Sequence, residues 1–208
     1  KEILASKILP EGALQLLCGS AGDMLDHVIT QDVVTFTGSA DTGRMLKVHP
    51  QIISESVPFT MEADSLNACV LGIDATPGTE EFDLFIKEVT KEITIKAGQK
   101  CTAVRRIVVP ENLVEEVQIA IGQRLGKTTI GNPANDTVRM GALVGRDHLL
   151  EVKDKVKLLA RNQQIVFGDL DASLQLIDAD PNKGAFMSPI LMVNKDPFKY
   201  VDCHNIEA

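Results

Sequence analysis

The stretch Asp32-Val33-Val34-Thr35-Phe36-Thr37 is rich in β-branched and aromatic residues and stops abruptly at Gly38-Ser39. Thr42 to Val48 then reads as a helix. Strand, glycine turn and helix in that order form the βα unit of a parallel sheet, the strongest constraint on what this chain can become. The pattern recurs on both sides. Ala13 to Cys18 is a short apolar run ended by Gly19, which predicts a buried strand. Ala21 to Ile29, with Met24, Leu25 and Val28 at helical spacing, predicts a helix. Strands are expected at about Ile53 to Glu62 and Ala68 to Ile73.

The second half continues the alternation. Thr79 follows a Thr76-Pro77-Gly78 turn and is a helix cap for Glu80-Glu81, with Phe82, Phe85, Ile86, Val89 and Ile93 lining one face. That helix is expected to run toward Gly98. Arg105 to Val109 is a strand closed by Pro110, and Glu111 to Leu125 is a helix. A loop over Gly131 to Gly145, a helix over Leu149 to Leu159, and strands over Gln164 to Gly168 and Met187 to Val193 complete the reading. The class is α/β; periodicity does not order the strands within a sheet.

Composition narrows the function. With 44% hydrophobic and 24% charged residues, 208 residues suffice for one sizeable core or two small ones. The net charge of -8 and the lack of any basic block argue against a nucleic-acid partner. No apolar stretch approaches the roughly 18 residues of a membrane span. Cys18, Cys69, Cys101 and Cys203 are far apart and form no C-x-x-C pair, so neither a metal site nor a disulfide framework is expected, and the setting reads as cytoplasmic. A start at Lys1, without methionine, is the pattern of a partial polypeptide.

Three segments can carry chemistry. In Gly98-Gln99-Lys100-Cys101-Thr102 a cysteine follows a glycine between helix and strand, where it can stand at an exposed bend and attack as thiolate. Locally, the alternative of a small packed hydrophobe carries more weight. In Phe59-Thr60-Met61-Glu62-Ala63-Asp64 an acidic pair closes an apolar strand, at the end of a parallel sheet where ligands bind. The alternative is a pair of solvated carboxylates, which is favoured for Asp64. Thr37-Gly38-Ser39 ends a strand and opens a helix whose N–H groups could face a phosphate, although many such turns use glycine for geometry alone.

Taken together and in order, these segments resemble the aldehyde dehydrogenase superfamily. Phe36-Thr37-Gly38-Ser39 is similar to its cofactor turn, Glu62 falls at its active-site glutamate, and Gly98-Gln99-Lys100-Cys101 is similar to its nucleophile motif. Leu9-Pro10-Glu11-Gly12, Met140-Gly141-Ala142-Leu143 and Asn205-Ile206-Glu207 extend the resemblance over nearly the whole chain. Where the family carries L-G-G-K after the glutamate, this chain has Ala63-Asp64-Ser65-Leu66, followed by Asn67. That variant, with a somewhat long stretch from Glu62 to Cys101, resembles the PaaZ-type subgroup that oxidises CoA-linked semialdehydes in aerobic phenylacetate degradation.

The resemblance implies the end of a Rossmann-type nicotinamide cofactor domain over 1–64 and an α/β catalytic domain, incomplete at its C-terminus, over 65–208. It implies Cys101 as nucleophile and Glu62 as water-activating base. Thr37, Gly38, Ser39 and Glu207 would hold NADP or NAD, with NADP favoured through the subgroup. An aldehyde, possibly a CoA thioester, would be the substrate, and the full-length protein would be a homo-oligomer. The isolated piece is expected to be inactive. Two rivals stay open: a dehydrogenase of simple aldehydes, and a non-catalytic binding or structural protein on the same fold.

Overall fold

The computed structural model describes residues 2–196 and 198. The chain divides into two compact units, residues 1–64 and 65–208.

In the first unit a short helix α1 (Glu2–Ala5) precedes a long irregular stretch. The strand expected at Ala13 to Cys18 does not form: no ladder partner meets it among the described residues, and Leu14, Leu16 and Leu17 are exposed. Apolar residues alone do not make a strand without a hydrogen-bonded neighbour. The helix expected at Ala21 to Ile29 shrinks to one 3-10 turn at Met24–His27, with no buried residue. Strand β1 (Val34–Gly38) follows, then helices α2 (Ala40–Lys47) and α3 (Pro50–Ser54), and strand β2 (Phe59–Ala63). The expected strand from Ile53 is thus delayed: Pro50 at the first helical position and the His49 ring nitrogen, accepting from Gln51 N–H, start a helix instead. β1 and β2 pair in parallel. Gly43 of α2 lies where a Cβ would overlap the Met61 sulfur and crowd Phe36, so a side chain there would force the helix off the strands.

The second unit opens with β3 (Asn67–Val70) and crosses through α4 (Glu80–Thr94) to β4 (Val104–Val108), which pairs with β3 in parallel. The Thr79 hydroxyl accepts from Phe82 N–H and caps α4, as its sequence predicts. Helix α5 (Val114–Leu125), entered through a 3-10 turn at Glu111–Leu113, packs on α4. Phe82, Ile86 and Val89 of α4 meet Val117, Ile121 and Leu125 of α5 in the main core, joined by Leu71, Leu113 and Leu191. Each such side chain contributes about 1.5–3 kcal/mol on burial. The short strand β5 (Ile130–Gly131), helix α6 (Arg146–Leu159) and strands β6 (Gln164–Phe167), β7 (Leu176–Ile177) and β8 (Leu191–Val193) complete the unit. β5 pairs with β7 in parallel and β6 with β8 antiparallel. No helix among the described residues is long and apolar enough to cross a membrane.

Candidate active site

In the first unit the parallel register sets Thr37 beside Glu62 and Gly38 beside Ala63. Thr37, Gly38, Ser39 and Glu62 therefore collect at the C-terminal end of the β1–β2 pair, and all four are exposed. Ser39 is the N-cap of α2: its Oγ accepts from Thr42 N–H at 3.3 Å and donates to Thr42 Oγ1 at 2.9 Å.

Asp64 is exposed, as expected for a solvated carboxylate at a strand end, and it also makes a specific contact. Its Oδ1 accepts from Ala40 N–H at 3.1 Å, placing a negative charge at the start of α2. Its φ of +49° lies in the left-handed region that glycine favours and aspartate tolerates better than most residues. The backbone turn after Glu62 thus keeps a glycine-like conformation without a glycine.

In the second unit Cys101 is exposed, not packed. Its segment is shaped by an unusual approach. Lys96 (φ +51°), Ala97 (+53°) and Gly98 (+73°) are consecutive left-handed residues that swing the chain out of α4. The Arg105 guanidinium donates to the Gly98 carbonyl at 2.8 Å, and Lys100 Nζ reaches Glu92 of α4 at 2.8 and 3.0 Å. Ala103 N–H then donates to the Lys100 carbonyl at 3.1 Å. This bond closes a four-residue turn with Cys101 and Thr102 at its corners. Ala103 is fully buried and seats the turn at the start of β4.

The carbonyl of Cys101 is held from β3. Ser65 Oγ and Asn67 Nδ2 both donate to it at 2.7 Å, and Asn67 Nδ2 also lies 3.2 Å from the Ala103 carbonyl. Because β3 and β4 are parallel neighbours, the residues opening β3 lie beside the turn that opens β4. The cysteine thus stands at the N-terminal end of its strand pair, whereas Glu62 stands at the C-terminal end of β2. Gln99 adds a second tether: its Oε1 accepts from Val144 N–H at 2.8 Å and its Nε2 donates to the Ala142 carbonyl at 3.4 Å. The Gly98–Cys101 and Met140–Leu143 segments, far apart in sequence, are therefore joined through one side chain.

Burial pushes the thiol of Cys69, on β3, above its ordinary value, with a lowering contribution from a hydrogen bond at Val70. Glu207 lies outside the described residues. In the sequence Ser65 and Asn67 are only a departure from a motif; their bonds reach residues 34 to 36 positions away, which local pattern does not report.

Comparisons with known proteins extend this geometry. The chain is 40% identical over 207 residues to 3,4-dehydroadipyl-CoA semialdehyde dehydrogenase of Aromatoleum evansii, covering all of this chain and 40% of that protein. It is 27% identical over 202 residues to 1-pyrroline-5-carboxylate dehydrogenase of Oceanobacillus iheyensis, covering 94% of this chain and 37% of that one. The chain thus spans about two fifths of the length of these relatives. Among solved structures, an apo betaine aldehyde dehydrogenase of Staphylococcus aureus has a similar fold, with a TM-score of 0.76 over 93% of this chain and 37% of that one at 22% identity. An oxidoreductase of Marinobacter aquaeolei gives 0.72 over 91% of this chain and 38% of that one, also at 22%. Residues 1–206 match the profile of the aldehyde dehydrogenase family, and with that match across both units the chain belongs to the aldehyde dehydrogenase family.

Proposed function

We propose that the complete protein oxidises an aldehyde to a carboxylic acid with a nicotinamide cofactor, and that its substrate is a CoA-linked semialdehyde from aromatic-compound degradation. The observation that carries this reading is the exposed Cys101 at the corner of a turn tied to β3 and β4. The 40% identity to a CoA semialdehyde dehydrogenase supports the substrate class.

In this reading residues 1–64 close a cofactor domain and residues 65–208 carry the nucleophile. The Cys101 sulfur adds as thiolate to the aldehyde carbon and holds it as a thiohemiacetal. The Cys101 backbone N–H is a donor for the oxyanion. The bound nicotinamide supplies a hydride acceptor. Glu62 takes a proton from the water that attacks the resulting thioester, frees the acid and restores the thiol. Glutamate at this position makes the enzyme hydrolytic instead of CoA-acylating.

The strand-to-helix turn fits a dinucleotide. Ser39 accepts from Thr42 N–H through a lone pair, so its hydroxyl hydrogen, here donated to Thr42 Oγ1, can turn to a phosphate oxygen without loss of the cap. Thr37, Gly38 and Glu207 are the other proposed cofactor contacts, with NADP preferred to NAD through the subgroup resemblance. The full-length enzyme is proposed to be a homo-oligomer.

The test is steady-state oxidation by the complete enzyme with NADP and NAD. CoA-linked and simple aldehydes are compared for wild type, Cys101→Ala and Glu62→Gln. Loss of turnover in Cys101→Ala, loss of free-acid release in Glu62→Gln, and preference for the CoA-linked substrate are expected. Free acid formed at the normal rate by Glu62→Gln would remove its assignment as base.

A further inference from the structure

The Cys101–Thr102 peptide is the middle unit of the turn closed between Lys100 and Ala103. In such a turn the middle peptide can rotate between its flanking Cα atoms, which swings the first corner's carbonyl and the second corner's N–H, and when that carbonyl is unheld the corner is also free to shift as a whole. Here its carbonyl does not face solvent alone. It accepts from the Ser65 hydroxyl and the Asn67 amide, both at 2.7 Å, and the same Asn67 nitrogen reaches the Ala103 carbonyl at 3.2 Å. Both donors are half-buried, Asn67 as the first residue of β3 and Ser65 two residues before it, whereas Cys101 and Thr102 are exposed.

We infer that Ser65 and Asn67 are positioning residues for the nucleophile: by holding the Cys101 carbonyl they anchor the Cys101 corner of the turn, from which the sulfur projects, and fix the direction of the Thr102 N–H. The inference rests on Cys101 being the nucleophile. Ser65 stands where the family motif described above has its second glycine, which has no side-chain donor. A glycine at this position could not make the Ser65 bond to the Cys101 carbonyl. Asn67 is singular in another way. Only a donor group suits it, since its nitrogen faces two carbonyl oxygens, and an aspartate of the same shape would set a negative charge against both.

Turnover depends on this anchoring because an exposed turn that samples other orientations presents the sulfur at attack geometry for less of the time. Aldehyde binding does not depend on it to the same extent. The expected signature is a loss in kcat at nearly constant KM.

The experiment uses the full-length enzyme with Ser65→Ala, Ser65→Thr, Asn67→Asp and Cys101→Ala, measuring kcat, KM and melting temperature for each. Asn67→Asp should lower kcat by about 10- to 100-fold and Ser65→Ala by about 3- to 10-fold, with KM within about threefold. Ser65→Thr, which keeps the hydroxyl, should recover most of the rate. Wild-type kcat in both Ser65→Ala and Asn67→Asp, with Cys101→Ala inactive, overturns the positioning role and leaves the nucleophile in place. Full activity in Cys101→Ala overturns the reading on which it rests. If Asn67→Asp does not fold, the Ser65→Ala and Ser65→Thr pair decides: equal kcat in the two overturns the inference, and recovery by threonine supports it.

Discussion

The Gln99 side-chain oxygen accepts the backbone N–H of Val144 at 2.8 Å, across 45 positions of sequence. The same amide donates to the Ala142 carbonyl, so one side chain meets a donor and an acceptor of a single loop. Gln99→Ala should leave Val144 N–H without this acceptor and speed its hydrogen exchange by about 10-fold or more. Gln99→Glu keeps the acceptor and loses the donor, so Val144 should stay protected. If exchange at Val144 is the same in all three proteins, the tether has no force in solution.

Asp64 joins two opposed effects in one residue. Its left-handed backbone costs about 1 kcal/mol or more, while its carboxylate on Ala40 N–H returns about 1 kcal/mol as a helix cap. Asp64→Ala loses the cap and keeps the strain, and should destabilise by about 1–2 kcal/mol. Asp64→Gly loses the cap and relieves the strain, and should cost less. Urea denaturation ranks the two, and the reverse order would contradict the account.

The left-handed run before Cys101 predicts a similar contrast. Gly98→Ala puts a Cβ 3.3 Å from the Ile93 carbonyl oxygen at a φ of +73°, and should destabilise by about 1–2 kcal/mol. Ala97→Gly relieves a strained alanine at φ +53°. It also raises the entropy of the unfolded chain by about 0.4–1 kcal/mol, so it should be neutral or slightly stabilising. Denaturation midpoints of the two variants check the sign.

Cys69 and Cys101 should separate by reactivity. Burial favours the neutral thiol of Cys69, so it should alkylate more slowly than exposed Cys101, and its labelling should rise only at more alkaline pH. The linkage has a definite sign. A thiol whose value is raised by folding stabilises the fold below its unfolded value, near pH 9, and that contribution is lost as pH rises through the folded value. Cys69→Ser should flatten the alkaline fall in stability. Mass-spectrometric labelling from pH 7 to 10, beside pH-dependent denaturation, measures both.

Ile121 and Val89, each 1% exposed, sit where α4 and α5 meet. Ile121→Ala should cost about 2–5 kcal/mol, as lost burial plus a cavity, read by denaturant titration. A loss below about 1 kcal/mol would show that this contact is not the centre of the core.

Legibility from sequence followed locality. Helix α4 was readable because Thr79, the acidic first turn and the spacing of Phe82, Ile86 and Val89 all lie within one segment. β1 and its glycine turn were readable for the same reason. Ala13 to Cys18 has a strand's composition, but a strand is a pairing, and its partner is not encoded in the run itself. Ile53 to Glu62 hid its helical start in His49 and Pro50, a cap and first-turn signal stronger than the β-branched residues after it. At the site, type and position make Cys101 and Glu62 candidates, and only the ordered set of motifs lifts Cys101 above a packed hydrophobe. Ser65, Asn67 and the reach of Gln99 depend on how parallel strands bring distant residues side by side, which no periodicity reports.

The three consecutive left-handed residues at 96–98 also bear on how this region can change in evolution. Connections between a helix and a strand usually accept an inserted or deleted residue at little expense. Here one added residue would shift the positive-φ positions onto different side chains, pull the Gln99 amide off Val144, and rotate the corner of the turn. Substitution is open to this segment; change of length is not.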